Sequence, residues 1–135
     1  MKTLKFKFIA LLVAIGSITA CSLGDDSEPY CFSQGYVPTL NVTGPDATTI
    51  NVPITLEVSF SVGNSCGVFS RFAETNSFPK SVVAVVEYTG CSCTPVTTPT
   101  VKPYVFTATA AGTYVLKFTT ATEALPITKT ITVTQ

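Results

Sequence analysis

The sequence predicts an all-β fold, a two-sheet antiparallel sandwich of about seven strands, and three observations predict it. The body of the chain is rich in Thr and Val and punctuated by Pro, Gly and Asn, the composition of short strands separated by turns. Apolar and polar residues alternate with period two through 54–62, the pattern of a sheet with one buried face. No amphipathic stretch of helical length follows the N-terminal segment.

Residues 1–20 have the three parts of a secretory signal. Lys2, Lys5 and Lys7 come first, then an apolar run from Phe8 to Ile15, then the small residues Gly16, Ser17, Thr19 and Ala20 ahead of Cys21,. The run is shorter than the roughly 20 residues that span hydrocarbon, so it is expected to direct export and not to remain as a transmembrane helix. Residues 21–30 continue as Cys-Ser-Leu-Gly-Asp-Asp-Ser-Glu-Pro-Tyr, polar and turn-forming, and are expected to be a solvated leash. Without residues 1–20 the chain has 115 residues, enough for one domain over 31–135 and too few for two.

Within that domain the strand at 54–62 carries Ile54, Leu56, Val58, Phe60 and Val62 on one face and Thr55, Glu57, Ser59 and Ser61 on the other,. Other strands are expected near 36–43, 68–74, 81–88, 103–109, 113–119 and 127–134. Tyr114, Leu116 and Phe118 alternate with Val115, Lys117 and Thr119, and Ile127, Ile131 and Val133 share a face of the last strand. Asp46, in Gly44-Pro45-Asp46-Ala47, reads as a turn residue,.

Ile18-Thr19-Ala20-Cys21 resembles the lipobox of bacterial lipoproteins, with Ile in place of the usual Leu. The resemblance implies cleavage before Cys21, a diacylglyceryl group on its sulfur and an acyl group, such as palmitate, on its amine. Several chains at about 0.8 kcal/mol per buried CH₂ make such an anchor effectively permanent. Ser22 stands where some inner-membrane lipoproteins have a retention Asp, so the expected address is the outer membrane. Asp25, Asp26 and Glu28 resemble the acidic patch that sends some lipoproteins to the cell surface.

Ala110-Ala111-Gly112-Thr113-Tyr114 resembles the turn into strand F of immunoglobulin-like domains, where Gly-x-Tyr makes a tyrosine corner,. The resemblance implies an immunoglobulin-like sandwich in which Gly112 and Tyr114 lock a crossover. Ala110 replaces the usual acidic residue, Leu116 stands where antibody domains have a cysteine, and the chain has no Trp. The likeness is therefore to the Gly-Thr-Tyr domains of bacterial surface proteins.

Four cysteines follow Cys21: Cys31, Cys66, Cys91 and Cys93. In an exported small domain they read as two disulfides, with three possible connectivities. Zinc is the competing reading, and the spacing lacks the C-x₂₋₄-C pair that such sites use. If the strands starting at 36, 54, 68 and 81 run alternately, all four cysteines gather at one pole. That arrangement favours Cys31 with one of Cys91 and Cys93, and Cys66 with the other. The loops near 44–53, 75–80 and 110–112 would face away from that pole.

Chemistry is sparse. The chain has no His, so a serine-histidine triad is impossible, and no Gly-rich phosphate loop leads from a strand into a helix. Glu57 and Glu87 fall on solvent-facing strand positions, and nothing pairs two carboxylates as a glycosidase requires,. Arg71, Phe69, Phe72 and Phe78 read as strand or hairpin residues. Once Lys2, Lys5 and Lys7 leave with the signal, five basic residues face eight acidic ones, a net −3, which gives no footprint for nucleic acid and little overall attraction to anionic lipid. The expected protein is a non-catalytic interaction or structural module without a cofactor. A lipid on Cys21 would hold it at the envelope, and loops or sheet edges would bind protein or glycan. The alternative is an accessory subunit of an envelope secretion or uptake complex.

Overall fold

The computed structural model describes residues 30–122 and 124–135. The signal, Cys21 and the leash up to residue 29 lie outside the described residues. Nine strands follow in order: β1 (Phe32–Val37), β2 (Thr39–Thr43), β3 (Ala47–Thr49), β4 (Ile54–Asn64), β5 (Gly67–Glu74), β6 (Lys80–Thr89), β7 (Pro95–Phe106), β8 (Gly112–Phe118) and β9 (Ile127–Thr134). Among the described residues there is no helix. The strands form a six-stranded sheet of β1, β3, β5, β6, β8 and β9 and a three-stranded sheet in the order β2-β4-β7. On one edge of β6, β1 pairs with Ala84–Thr89 and β8 with Lys80–Val82, while β5 takes the other edge.

The core lies between the two sheets. Leu56, Val58, Phe60 and Val62 face inward from β4, and Tyr104 and Phe106 from β7. They meet Val82, Ala84 and Val86 of β6, Leu116 and Phe118 of β8, and Ile131 and Val133 of β9 in one cluster. The period-two pattern thus becomes the inner face of a β-sandwich.

The fold differs from the expected antiparallel, seven-stranded sandwich in four places. The expected strand at 36–43 is two strands, β1 and β2, broken at Pro38, which has no N–H to donate to a ladder. The chain passes from the larger sheet to the smaller there. It crosses back at β3, which keeps its direction and pairs parallel with β9. Likewise β6 and β8 pair parallel, because β7 lies between them in the chain and belongs to the other sheet. Finally, the expected strand at 103–109 is β7, which starts at Pro95.

β7 accommodates its prolines by being an edge strand, paired only with β4. Pro103 faces Glu57 and Pro99 faces Ser61. Neither proline has an N–H to give to a ladder, which an edge strand tolerates and which makes that edge a poor template for another strand.

β5 shows the opposite adjustment. Phe69 and Phe72 are three residues apart and would alternate onto opposite faces, yet both pack against the core. A register shift between Phe69 and Arg71 inserts one extra residue and re-aims the second ring,. Phe69 then lies 5.5 Å from Phe60 and 4.9 Å from Phe72, between ring centroids.

Candidate functional site

The two ends of the sandwich differ in kind. At one end Cys31 bonds Cys91 and Cys66 bonds Cys93, with Cα–Cα distances of 5.0 and 5.5 Å. Cys91 and Cys93 sit in an irregular segment after β6, so one reaches the chain entering β1 and the other reaches the β4–β5 connection. Backbone bonds run alongside: Gly90 N–H donates to the Cys31 carbonyl at 2.9 Å and Ser65 N–H to the Thr94 carbonyl at 3.0 Å. This end is built as a clamp.

The segments 44–53, which include β3, 75–80 and 107–112 meet at the other end. Asn51 N–H donates to the Ala108 carbonyl at 2.8 Å, and Lys129 Nζ donates to the Gly44 carbonyl at 2.8 Å. Gly44 has φ +135°, and a Cβ there would lie 2.8 Å from the Thr55 carbonyl oxygen, so both the turn and the close approach require glycine. Tyr114 Oη donates to the Ala110 carbonyl, four residues upstream, at 2.9 Å. That bond closes the turn that begins β8 at Gly112.

Between these loops lies a groove of about 340 Å³, lined by Glu74, Phe78, Lys80, Tyr114 and the chain from Tyr104 to Thr109. Phe78, after the end of β5, packs its ring 4.9 Å from Tyr114 and 6.4 Å from Phe106, both near perpendicular. It remains 45% exposed. Lys80 Nζ lies 5.4 Å from the Phe78 ring centroid, within cation–π range, and 2.9 Å from Glu74 Oε1. Tyr104 Oη donates to Glu74 Oε2 at 2.5 Å. Glu74 therefore ties the β5–β6 hairpin to β7 across the gap between the sheets.

Burial pushes the Tyr104 phenol up, and the adjacent Glu74 carboxylate, which accepts its proton in a hydrogen bond, pushes it further. Burial also pushes the Glu74 carboxyl up, but the hydrogen bonds from Tyr104 and Lys80 and the Lys80 charge outweigh it, so Glu74 sits below its ordinary value. A raised phenol contributes stability that is complete below its unfolded pKa of about 10 and is lost as pH rises toward the higher folded value. Titration of the phenolate absorbance of the five tyrosines is accordingly expected to show one late group. That group should titrate earlier in Glu74→Gln yet stay above the ordinary phenol value, because burial still raises it. The absence of any late-titrating tyrosine in the folded protein would contradict the burial of Tyr104 beside the carboxylate. The carboxyl has the opposite sign: its stabilisation is present above about pH 4 and lost as pH falls through the lowered value. Being partly exposed, it contributes only a fraction of a kcal/mol.

The arrangement can stack and hydrogen-bond a ligand. Glu74 is the carboxylate that lines the groove, and both its oxygens are already engaged. Among the described residues no group of three or more His, Cys, Asp or Glu is placed to hold a metal. The sequence singled out Phe78 but not its partners Glu74, Lys80 and Tyr104. Tyr104 is 30 residues from Glu74 and on the other sheet, and no spacing announces such a contact. Phe69 and Phe72 belong to the core and Arg71 is exposed. Glu57 is exposed, and Glu87 accepts hydrogen bonds from Gln34 and Ser70. No protein family, curated protein or solved structure matches this chain.

Proposed function

We propose that this protein is a non-catalytic binding module of the bacterial envelope, anchored in the outer membrane by a lipid on Cys21, which presents its loop-bearing end to a protein or a glycan. One observation carries the reading: the two ends of the domain are specialised differently. The chain enters at Tyr30 and Cys31, beside both disulfides, ten residues after the lipobox cysteine. The loops and the groove of Phe78, Tyr114, Lys80 and Glu74 lie at the opposite end. A tether and a clamp at one end with a part-exposed aromatic groove at the other suit a domain held at its base and read at its tip. The immunoglobulin-like resemblance of Gly112 and Tyr114 fits such a role, since that architecture displays loops at the ends of its sheets.

The test is binding of the lipidated protein to isolated cell-wall glycan and to envelope proteins, compared with Phe78→Ala. The expected result is at least about a tenfold loss of binding in the variant, the equivalent of about 1.4 kcal/mol, with thermal stability little changed. Undiminished binding by Phe78→Ala would remove the groove from the interaction. The accessory-subunit reading rests on a different observation: Leu40, Val101 and Val105 of the three-stranded sheet are 60%, 54% and 60% exposed, apolar area that a partner subunit would cover.

A further inference from the structure

Alternation along β1 turns Val37 into the core and sends Phe32, Gln34 and Tyr36 to the outer face of the six-stranded sheet. Tyr36 is 74% exposed and Phe32 50% exposed. Tyr30, 79% exposed, stacks on Phe32 with ring centroids 6.2 Å apart. On β5, across β6 from β1, Val68 pairs in register with Glu87 and is 68% exposed. Single exposed apolar residues are ordinary on a protein surface, whereas several on one face mark a contact; here Gln34 stands between Phe32 and Tyr36.

The charges of this face bear on what it contacts. Arg71 stands on it across β6 from Tyr36, the two flanking Val85 from opposite edges. Lys117 shares it by alternation with the buried Leu116 and Phe118. The carboxylate of this region, Glu87, is capped by Gln34 Nε2 at 3.0 Å and Ser70 Oγ at 2.8 Å. Among the described residues the other acidic side chains lie elsewhere: Glu57 on the three-stranded sheet, Glu74 in the groove and Asp46 in the loop after β2. The domain over 31–135 balances five basic against five acidic residues, with three further carboxylates, Asp25, Asp26 and Glu28, in the leash before Tyr30; it turns two cations and three aromatic rings outward on this face. Tyr and related rings settle at headgroup depth, and basic side chains attract anionic lipid. The row also starts beside the tether. Tyr30 is nine residues from Cys21, a contour on the order of 30 Å.

We infer that the Tyr30–Phe32–Tyr36 row, with Arg71 and Lys117, is a membrane-contact face that lies on the headgroups of an anionic bilayer. This rests on the reading of Cys21 as a lipid anchor. The rings would dip to the headgroup boundary while the groove at the far end, between the sheets, stays open to solvent. The anchor then fixes distance and the face fixes orientation.

The chain has no Trp, so a single introduced indole reports its own surroundings. The test uses the full chain, exported with its own signal, purified and reconstituted in phosphatidylethanolamine–phosphatidylglycerol vesicles with brominated acyl chains. Tyr36→Trp is expected to be quenched at least about twofold more than Phe78→Trp, as an interfacial ring within reach of the acyl boundary should be. Equal quenching at the two sites overturns the inference. So does a Tyr36→Trp indole that is shielded from acrylamide in native membranes yet unquenched by bromolipid, which would mean that a protein covers the face. Mass spectrometry of the same samples reads Cys21 separately. If Cys21 is unmodified the anchor reading falls, and the same vesicles added to the unlipidated protein still decide the face by the same comparison.

Discussion

Replacing Cys31, Cys66, Cys91 and Cys93 together by Ser is expected to unfold the domain. The two disulfides close loops of 60 and 27 residues. In the chain-entropy description, cross-links of those lengths stabilise by about 4 and about 3.5 kcal/mol respectively. Their sum is comparable with the whole stability of a small domain, about 5–15 kcal/mol. Removing one bridge at a time should give two partly destabilised proteins. The pair Cys31→Ser and Cys91→Ser should be the weaker, because its loop is longer. Guanidinium unfolding followed by circular dichroism measures the order. An unchanged midpoint in the quadruple variant would mean that the sheets hold without the clamp.

Phe60→Ala has the second-largest expected effect. Phe60 is fully buried at the middle of β4, opposite Thr39 on one side and Thr100 on the other, and its ring meets Phe69 from the facing sheet. Truncation removes a large apolar side chain and leaves a cavity that rigid sheets on both sides cannot close. The expected cost is about 3–5 kcal/mol. Phe78→Ala, at a ring that is 45% exposed, should cost much less. Thermal or denaturant midpoints of the two variants measured side by side check the difference. Similar losses at both positions would contradict the placement of the core between the sheets.

Local pattern made much of this fold readable. Strand β4 announces itself because one face is buried and the other wet, so alternation survives in the residue types. β6 is less plain: Val82, Ala84 and Val86 face the core, yet Val85 on the outer face is also fully buried, since β6 has partners along both edges. Sequence pattern fails where the backbone departs from an ideal strand. Pro38 ends one strand and starts another in the other sheet, and β3 is too short to show a period. The prolines of β7 read as breakers until that strand is known to lie at an edge. The extra residue in β5 makes Phe69 and Phe72 look misaligned. At the candidate site, Phe78 and Tyr114 were visible as types near turns. The Glu74–Tyr104 bond depends on two sheets meeting and leaves no trace in spacing.

The mass of the N-terminal peptide of the protein isolated from its native envelope tests the anchored-module proposal most directly. The predicted result is a chain beginning at Cys21, its sulfur carrying a diacylglyceryl group and its amine an acyl chain. A chain that begins elsewhere, or a Cys21 with an unmodified thiol on protein released from membranes by buffer alone, would contradict it.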